Sequence, residues 1–490
     1  MSNVKRNIGY QTFYQVLATC LPLITSPYLS RVLGSEQLGV FSFTNSVVSY
    51  FTLFAMLGVV SYGTRTIATC KNDETARSLT FWEIFIFQLI SSLFCILLYV
   101  LYFFVFCREN HLVALIQGVN LVACLFDINW LFFGVEDFKV TVTRNSIVKV
   151  VAVVIILLTV KSSSDLWIYT LIMTSSTFIS NFILWKFAKR HIVLSKIKEV
   201  KRSGVIKHIK SNLMLFIPLA AMHIYHAMDK TMLGVLSTYD ESGFYYNADK
   251  VVGIPVGIIT GLGTAMLPRV SSLVGEGNIK KSEEYFKIFI RLIAMVTVAL
   301  AFGIASVSNE FVPVFFGKGY DSCVILIILL SPVLIIKGYC YVSRTLYLIP
   351  NHLERVYTGS VIFGAVVNLI ANSFFIPRYG AIGAVIGTVL AELSACVWQF
   401  ILMCKYIHYG ISLLKSFVYF FFGIIMFFVV RVSSYVFENI VFSLIFEILC
   451  GTICFIGLCV LYLSISKNSI YLSFRDSAKV SINKLLNKSH

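Results

Sequence analysis

Apolar runs long enough to cross a bilayer follow one another along the chain, each ended by a short polar or basic stretch. A helix needs about 20 mostly apolar residues to span the hydrocarbon. Fourteen segments fit: 11–33, 40–63, 80–106, 111–133, 146–160, 166–187, 211–236, 244–266, 287–309, 323–343, 356–376, 381–403, 413–434 and 439–465. The pattern predicts an all-α polytopic membrane protein of about 14 transmembrane helices. The run at 146–160 is short, and 80–106 is long enough to tilt or to extend past the bilayer. The first run follows Lys5 and Arg6, carries Pro22 and Pro27 and has no A-x-A site, so it reads as a retained span rather than a signal peptide.

Composition agrees with this reading. Of 490 residues, 58% are hydrophobic and 13% charged, against about 25% charged in soluble domains. A cytosolic enzyme, a disordered chain and a disulfide-built secreted scaffold are excluded. Most of the cysteines, among them Cys20, Cys95, Cys124, Cys396, Cys454 and Cys459, lie in apolar runs, where thiols behave as small hydrophobes. There is no CxxC pair, and no metal site is expected.

The net charge of +16 is explained by topology. With a cytoplasmic N-terminus, the even loops and both termini hold 31 Lys and Arg, and the odd loops hold 6. Only Lys230, Lys250 and Lys337 fall inside spans. Cytoplasmic loops are the ones enriched in Lys and Arg, so both termini are expected in the cytoplasm, and no nucleic-acid partner is expected. The largest basic block, Lys186–Lys210, reads as a cytoplasmic linker or as a surface helix touching anionic membrane lipids. Trp82, Trp130, Trp167 and Trp185 lie near span ends, as an interfacial belt would place them.

The chain also repeats itself. Glu36-Gln-Leu-Gly39-Val-Phe41 aligns with Asp240-Glu-Ser-Gly243-Phe-Tyr245, and Tyr62-Gly-Thr-Arg65 with Met266-Leu-Pro-Arg269, at a constant offset of 204. Six spans separate the copies, which makes the repeat parallel, an arrangement used by alternating-access transporters. The expected organisation is an N-terminal lobe at 1–190, a basic cytoplasmic linker at 191–210, a C-terminal lobe at 211–405, and two further helices with a basic cytoplasmic tail at 406–490.

Asn7–Arg65 closely resembles the Wzx-type flippases of O-antigen and capsule repeat units, the polysaccharide branch of the multidrug/oligosaccharidyl-lipid/polysaccharide exporter superfamily. Met228–Gly234, Gly243–Lys250, Met266–Ser271 and Ile376–Ala384 extend the resemblance in order and spacing over about residues 5–405. It implies a MATE-like bundle of two six-helix lobes. It also implies transfer of an undecaprenyl-diphosphate-linked oligosaccharide from the cytoplasmic to the outer leaflet of the bacterial cytoplasmic membrane. Coupling to an H+ or Na+ gradient, with no bound cofactor, follows from the family. A polysaccharide polymerase and a chain-length regulator are possible partners.

Such a substrate needs cations for its diphosphate and a lateral opening for its lipid. Intramembrane Lys and Arg are costly and mark functional sites by default. Arg31, Lys230 and Lys250 fall in the outer part of the bundle, where they either meet substrate or pair with Asp229 and Asp249 in a gate. Arg65 and Arg269, repeat mates, either flank the inner mouth or act as ordinary positive-inside anchors. Glu392 lies near the middle of its span and is expected to be protonated, paired or an ion-coupling site. Asp127 and Glu447 are further intramembrane acids. His223, His226 and Lys230 recur at i, i+3 and i+7, as a proton relay or a water-lined stripe would. Pro22 and Pro27 in the first span, and Gly253, Pro255 and Gly257 in the eighth, make these two spans hinge candidates.

A drug or cation antiporter of the same superfamily is the nearest rival, and it would favour acids over cations in its cavity. A membrane-embedded polysaccharide polymerase would need long outward loops, and the odd loops are short. No P-loop or nucleophile elbow is present, so an enzyme is not expected. Arg31→Ala, Lys230→Ala and Lys250→Ala are each expected to lower surface polysaccharide at normal protein level, with Lys250→Arg milder. Wild-type output from all three would remove the cationic-cavity reading.

Overall fold

A computed structural model describes residues 2–407 and 409–465. The basic tail expected over 466–490 lies outside the described residues. No strand occurs among them. The chain opens with α1 (Ser2–Met56), α2 (Val59–Thr69) and α3 (Glu74–Phe106). Three short helices follow: α4 (His111–Gln117), α5 (Val119–Leu125) and α6 (Asn129–Gly134). Next come α7 (Phe138–Thr159), α8 (Leu166–Ala188), α9 (Arg202–Leu236), α10 (Tyr239–Gly275) and α11 (Ile279–Phe315). The rest is α12 (Asp321–Leu330), α13 (Pro332–Ser343), α14 (Glu354–Met403), α15 (Gly410–Ser433) and α16 (Ile440–Ile465).

By length and composition nine described helical stretches can cross a membrane, or eleven with two bent pairs counted as spans. Two stretches run together spans that the sequence pattern separates. α1 holds 11–33 and the start of 40–63, parted at Gly34, where φ is 80°. α14 holds 356–376 and 381–403, parted at Gly380, where φ is 54°. Glycine adopts such angles without the Cβ penalty. The bend of 47° in α9 falls between Ile217 and Leu219, around a proline that supplies no N–H to the helix.

The expected single helix over 111–133 is corrected to α4, α5 and α6. Its ladder is interrupted from outside. Tyr99 donates its hydroxyl to the Ala114 carbonyl at 2.6 Å. Gln88 Nε2 donates to the carbonyls of Cys124 (2.7 Å) and Asp127 (2.8 Å). Asn181 Nδ2 takes the Ala123 carbonyl at 3.0 Å, and Trp185 Nε1 takes that of Phe126 at 3.1 Å. A helix break at membrane depth persists only where neighbours satisfy the freed groups, and four side chains do so here.

The described residues divide into two compact units. The first comprises residues 1–254, 316–326 and 357–395. The second comprises 255–315, 327–356 and the chain from 396 on. In the first, Val59, Ile67, Phe81, Ile84, Trp130 and Leu184 form a core between α2, α3, α6 and α8. Trp82 and Trp130 are buried in it, and the half-buried Trp185 packs against Phe81 and Phe85. These three tryptophans are therefore core, correcting the interfacial-belt expectation; Trp167 is exposed. The basic linker is pinned to the start of α3. Arg77 Nε donates to the His191 carbonyl at 2.7 Å, and the Val193 N–H donates to Ser78 Oγ at 3.0 Å.

The repeat reappears as a contact in this unit. A Cβ on Gly39 would lie 1.7 Å from the Tyr239 carbonyl oxygen, and one on Gly243 would lie 2.0 Å from that of Ser35. Ser35 and Tyr239, like Gly39 and Gly243, are separated by 204 positions. Each copy thus lays its glycine against the backbone of the other. Ser35 Oγ donates to Asp240 Oδ1 beside the crossing.

In the second unit, α11 buries Phe286, Ile290, Ala294 and Val298. Gly338 and Gly423 allow close packing there, since their added Cβ atoms would meet Thr297 and Phe302 at 2.6 Å. Arg431 pairs with Glu310 at 2.9 Å, and buried Glu447 accepts from Ser443 at 2.9 Å.

Gly39→Val and Gly243→Val are each expected to lower stability by about 1–3 kcal/mol, read as a lower melting temperature of the purified protein. Gly253→Ala is the control. Nothing lies within 4 Å of its added Cβ, and no loss is expected.

Candidate functional site

α9 carries two adjacent charges that the fold treats differently. Asp229 is 4% exposed. Its Oδ1 accepts from Asn372 Nδ2 at 2.7 Å and Asn368 Nδ2 at 2.9 Å. Its Oδ2 accepts from the Tyr245 hydroxyl at 2.7 Å and from Thr388 Oγ1 at 3.0 Å. The break at Gly380 lets α14 pass this carboxylate twice, supplying both asparagines from one half and Thr388 from the other. The Ala381 N–H that follows the break is taken by Glu241 Oε2 at 2.6 Å. Among the described residues no Lys, Arg or His lies within ion-pair distance of Asp229, so its partners are all neutral. Asn372 Oδ1 is buried beside it with no donor, and Gly387 is held to glycine because a Cβ would meet that oxygen at 1.9 Å. Buried Glu392 lies one turn beyond Thr388 and faces the Tyr225 ring system.

Lys230 leaves the helix in another direction. Its Nζ lies 2.9 Å from Asp249 Oδ2. The ammonium groups of Lys230 and Lys250 stand 5.8 Å and 5.0 Å from the centre of the Tyr246 ring. One carboxylate and one aromatic face thus hold two partly exposed cations, and the neighbouring Asp229 adds its charge to the field at Lys230. Cation–π contact stabilises an ammonium by about 0.5–2 kcal/mol, so the ring keeps Lys250 in place without neutralising it.

A cavity of about 460 Å³ opens between α1, α5, α8 and α9. Its polar wall includes Asn45, Ser49, Thr52, Asn120, Thr177 and Asn181. Asp127, His223 and the Cys124 thiol are its titratable side chains among the described residues, and neither Lys nor Arg is among them. Asp127 is fixed by the helix break, where its Oδ1 accepts from the N–H and the Nδ2 of Asn129 at 2.9 and 2.7 Å. His223 Nδ1 is buried without a partner.

The sequence-predicted residues are thus distributed over several places. Asp229, Lys230, Asp249 and Lys250 come together on α9 and α10. His223 lines the cavity, whereas His226 is exposed and stacks near Tyr225 at 5.2 Å. Arg31 is exposed, its side chain along the open face of Gly317. Arg65 is exposed in the first unit, and Arg269 is exposed in the second. Asn368, Asn372, Thr388, Tyr245 and Tyr246 went unnoticed, as did the hydroxyls and amides of the cavity. Two asparagines at i, i+4 inside an apolar run, and Asn45, Ser49 and Thr52 at i, i+4 and i+7, were the available signals.

Residues 4–274 match the family described as "Polysaccharide biosynthesis protein". The chain belongs to this family. It is 24% identical over 394 residues to an Escherichia coli K12 protein named as an O-antigen transporter, covering 80% of this chain and 94% of that one. The fold is similar to that of a lipid II flippase MurJ in an inward closed conformation, with a TM-score of 0.76 at 14% identity over 94% of this chain and 99% of that one. A multidrug resistance MATE transporter in an inward-facing conformation gives 0.62 at 15% identity over 83% and 95%. The bundle of a polysaccharide biosynthesis family member is therefore built on the transporter fold that MurJ and MATE proteins share.

Asp229→Ala removes the shared acceptor of four buried donors. Tyr245, Asn372 and Thr388 each keep a second partner, whereas a buried donor left unsatisfied, as at Asn368, costs about 1–3 kcal/mol. The variant is expected to melt well below wild type, and Asp249→Ala, whose partner Lys230 is partly exposed, only slightly below it. Thermal unfolding of the purified proteins checks the order.

Proposed function

We propose that this protein is a flippase. It carries an undecaprenyl-diphosphate-linked oligosaccharide repeat unit from the cytoplasmic to the outer leaflet of the bacterial cytoplasmic membrane by alternating access. The observation that carries the reading is a cavity in which amides and hydroxyls stand among apolar side chains, inside an apolar helical bundle of a polysaccharide biosynthesis family member. Its volume lies within the range of about 300–1,000 Å³ usual for small-molecule sites. Hydroxyls and amides both donate and accept, as sugar hydroxyls do, so the wall suits the first sugars of the head group.

The ammonium groups of Lys230 and Lys250 suit the diphosphate, at the end of α10 that the loop charges assign to the outer face. Arg31 and the Arg65 and Arg269 pair are the further diphosphate contacts of this reading. Both termini are cytoplasmic in it, the span count is fourteen, and the polymerase and chain-length regulator receive the flipped unit.

Coupling runs through Asp229. A buried carboxylate without a cationic partner is stable only when a proton or a bound cation neutralises it. H+ and Na+ both fit, the second favoured by the spare acceptor on Asn372. Binding and release of that charge bias α9 against α14, and Asp229→Asn removes the bias while keeping the shape. A drug antiporter is less favoured, because no Phe, Tyr or Trp lines the cavity, Asp127 is the one acid among its described lining residues, and the relatives are named as an O-antigen transporter and a lipid II flippase.

The test is deletion of the gene, followed by probing which leaflet holds the lipid-linked repeat unit. Accumulation on the cytoplasmic side with loss of surface polymer, restored by wild type and not by Asp229→Asn, is the expected result. Normal polymer with altered drug tolerance would move the assignment to the antiporter. Outward-facing but unpolymerised units would move it to the polymerase.

A further inference from the structure

α7 and α8 leave a groove of about 470 Å³ between them, next to the residues that enter α7 and leave α8. Val140, Ile147, Ile183 and Phe187 line its apolar part, and Ile147 is exposed. Lys139 and Arg190 stand at its edge, both exposed and without a carboxylate partner among the described residues. Asp137, the acid of the lining, faces His191 at 3.3 Å. Arg190 lies 5.1 Å over the Phe187 ring, which directs its guanidinium along the groove.

Arg144 closes the inner end and is 6% exposed. Its guanidinium donates to the Ser180 carbonyl at 2.6 Å, Asn145 Oδ1 at 2.6 Å and Asn129 Oδ1 at 3.0 Å. All three acceptors are neutral, and Nε is buried with no partner. Asp127 is reached only through Asn129, whose Nδ2 donates to it at 2.7 Å. Two exposed cations therefore edge an apolar groove with the buried Arg144 in its wall, and its one acid contacts His191.

We propose that this groove binds an anionic phospholipid of the surrounding bilayer. The phosphate sits between Lys139 and Arg190 with Arg144 behind it, and an acyl chain runs along Val140, Ile147 and Ile183. Basic pockets between transmembrane helices at the cytoplasmic level are the usual setting for anionic headgroups, and the loop charges put this end of α7 and α8 there. A free anion would leave the apolar part of the groove unfilled, and a zwitterionic headgroup would leave the cations uncompensated. The site is separate from the cavity and from Asp229, and it requires only that the chain sits in a membrane.

The full-length protein, purified in detergent and equilibrated with equal amounts of phosphatidylglycerol and phosphatidylethanolamine, tests it by native mass spectrometry. Wild type is expected to retain phosphatidylglycerol in preference. Lys139→Ala with Arg190→Ala is expected to lower that adduct about tenfold, each cation near the surface contributing a few-fold. Phosphatidylethanolamine retention and melting temperature should not change, because both side chains are exposed. Arg144→Lys, which keeps the charge, should retain most of the adduct. Equal retention of the two lipids by wild type overturns the proposal, as does an undiminished adduct in the double variant. Displacement by inorganic phosphate identifies a free-anion site instead and overturns it too. Transport is not read, so neither result bears on flipping.

Discussion

Inside a bilayer a carbonyl freed from its helix cannot turn to water, and much of this molecule follows from where such groups find partners. The chain breaks between α5 and α6, and Gln88, Asn181 and Trp185 reach in from α3 and α8 to take the exposed carbonyls. That break turns Asp127 and Asn120 toward the cavity. At Gly380, between two spans, Glu241 accepts the freed Ala381 N–H, and the interruption lets α14 address Asp229 from both of its halves. Polar side chains in this core are first of all partners for backbone, and the space they hold open comes with them.

Neighbouring residues of α9 show how the bundle handles charge in two ways. Lys230 meets an opposite charge and an aromatic face in a partly exposed setting, where an ion pair costs little to form and little to break. Asp229 meets four neutral donors at depth. The first arrangement can open without leaving a buried charge unpaired. The second is a fixed cradle in which four donors from α10 and α14 hold a carboxylate of α9. One helical turn thus carries one charge open to exchange and one held in place.

The apolar periodicity and the uneven spread of Lys and Arg made the helical membrane architecture legible, because both are imposed by the bilayer and recur in every span. Asp229, Lys230, Asp249 and Lys250 were legible for the same reason, since charge inside an apolar run stands out. The break in 111–133 was not, because the side chains that take its freed carbonyls, Gln88, Asn181 and Trp185, lie on other helices. Trp82, Trp130 and Trp185 misled because a span end can face either the interface or a packed core. Asn368, Asn372 and Thr388 were hidden by neutrality. An amide in a membrane helix is informative only once its partner is known, and that partner lies over a hundred residues away.

The glycine crossing reads the same from either side, with Gly39 on Tyr239 and Gly243 on Ser35. Reciprocity of this kind is the mark of an isologous interface, in which one surface is complementary to itself. The chain carries internally what two identical subunits would form about a two-fold axis. In such a dimer every substitution at the contact falls on both faces at once, so few are tolerated. Once the two copies are joined in one polypeptide, each face is free to change alone. Ser35 has become hydroxyl donor to Asp240, while its counterpart is the large aromatic Tyr239, and only the glycines, which neither side can replace, have stayed alike.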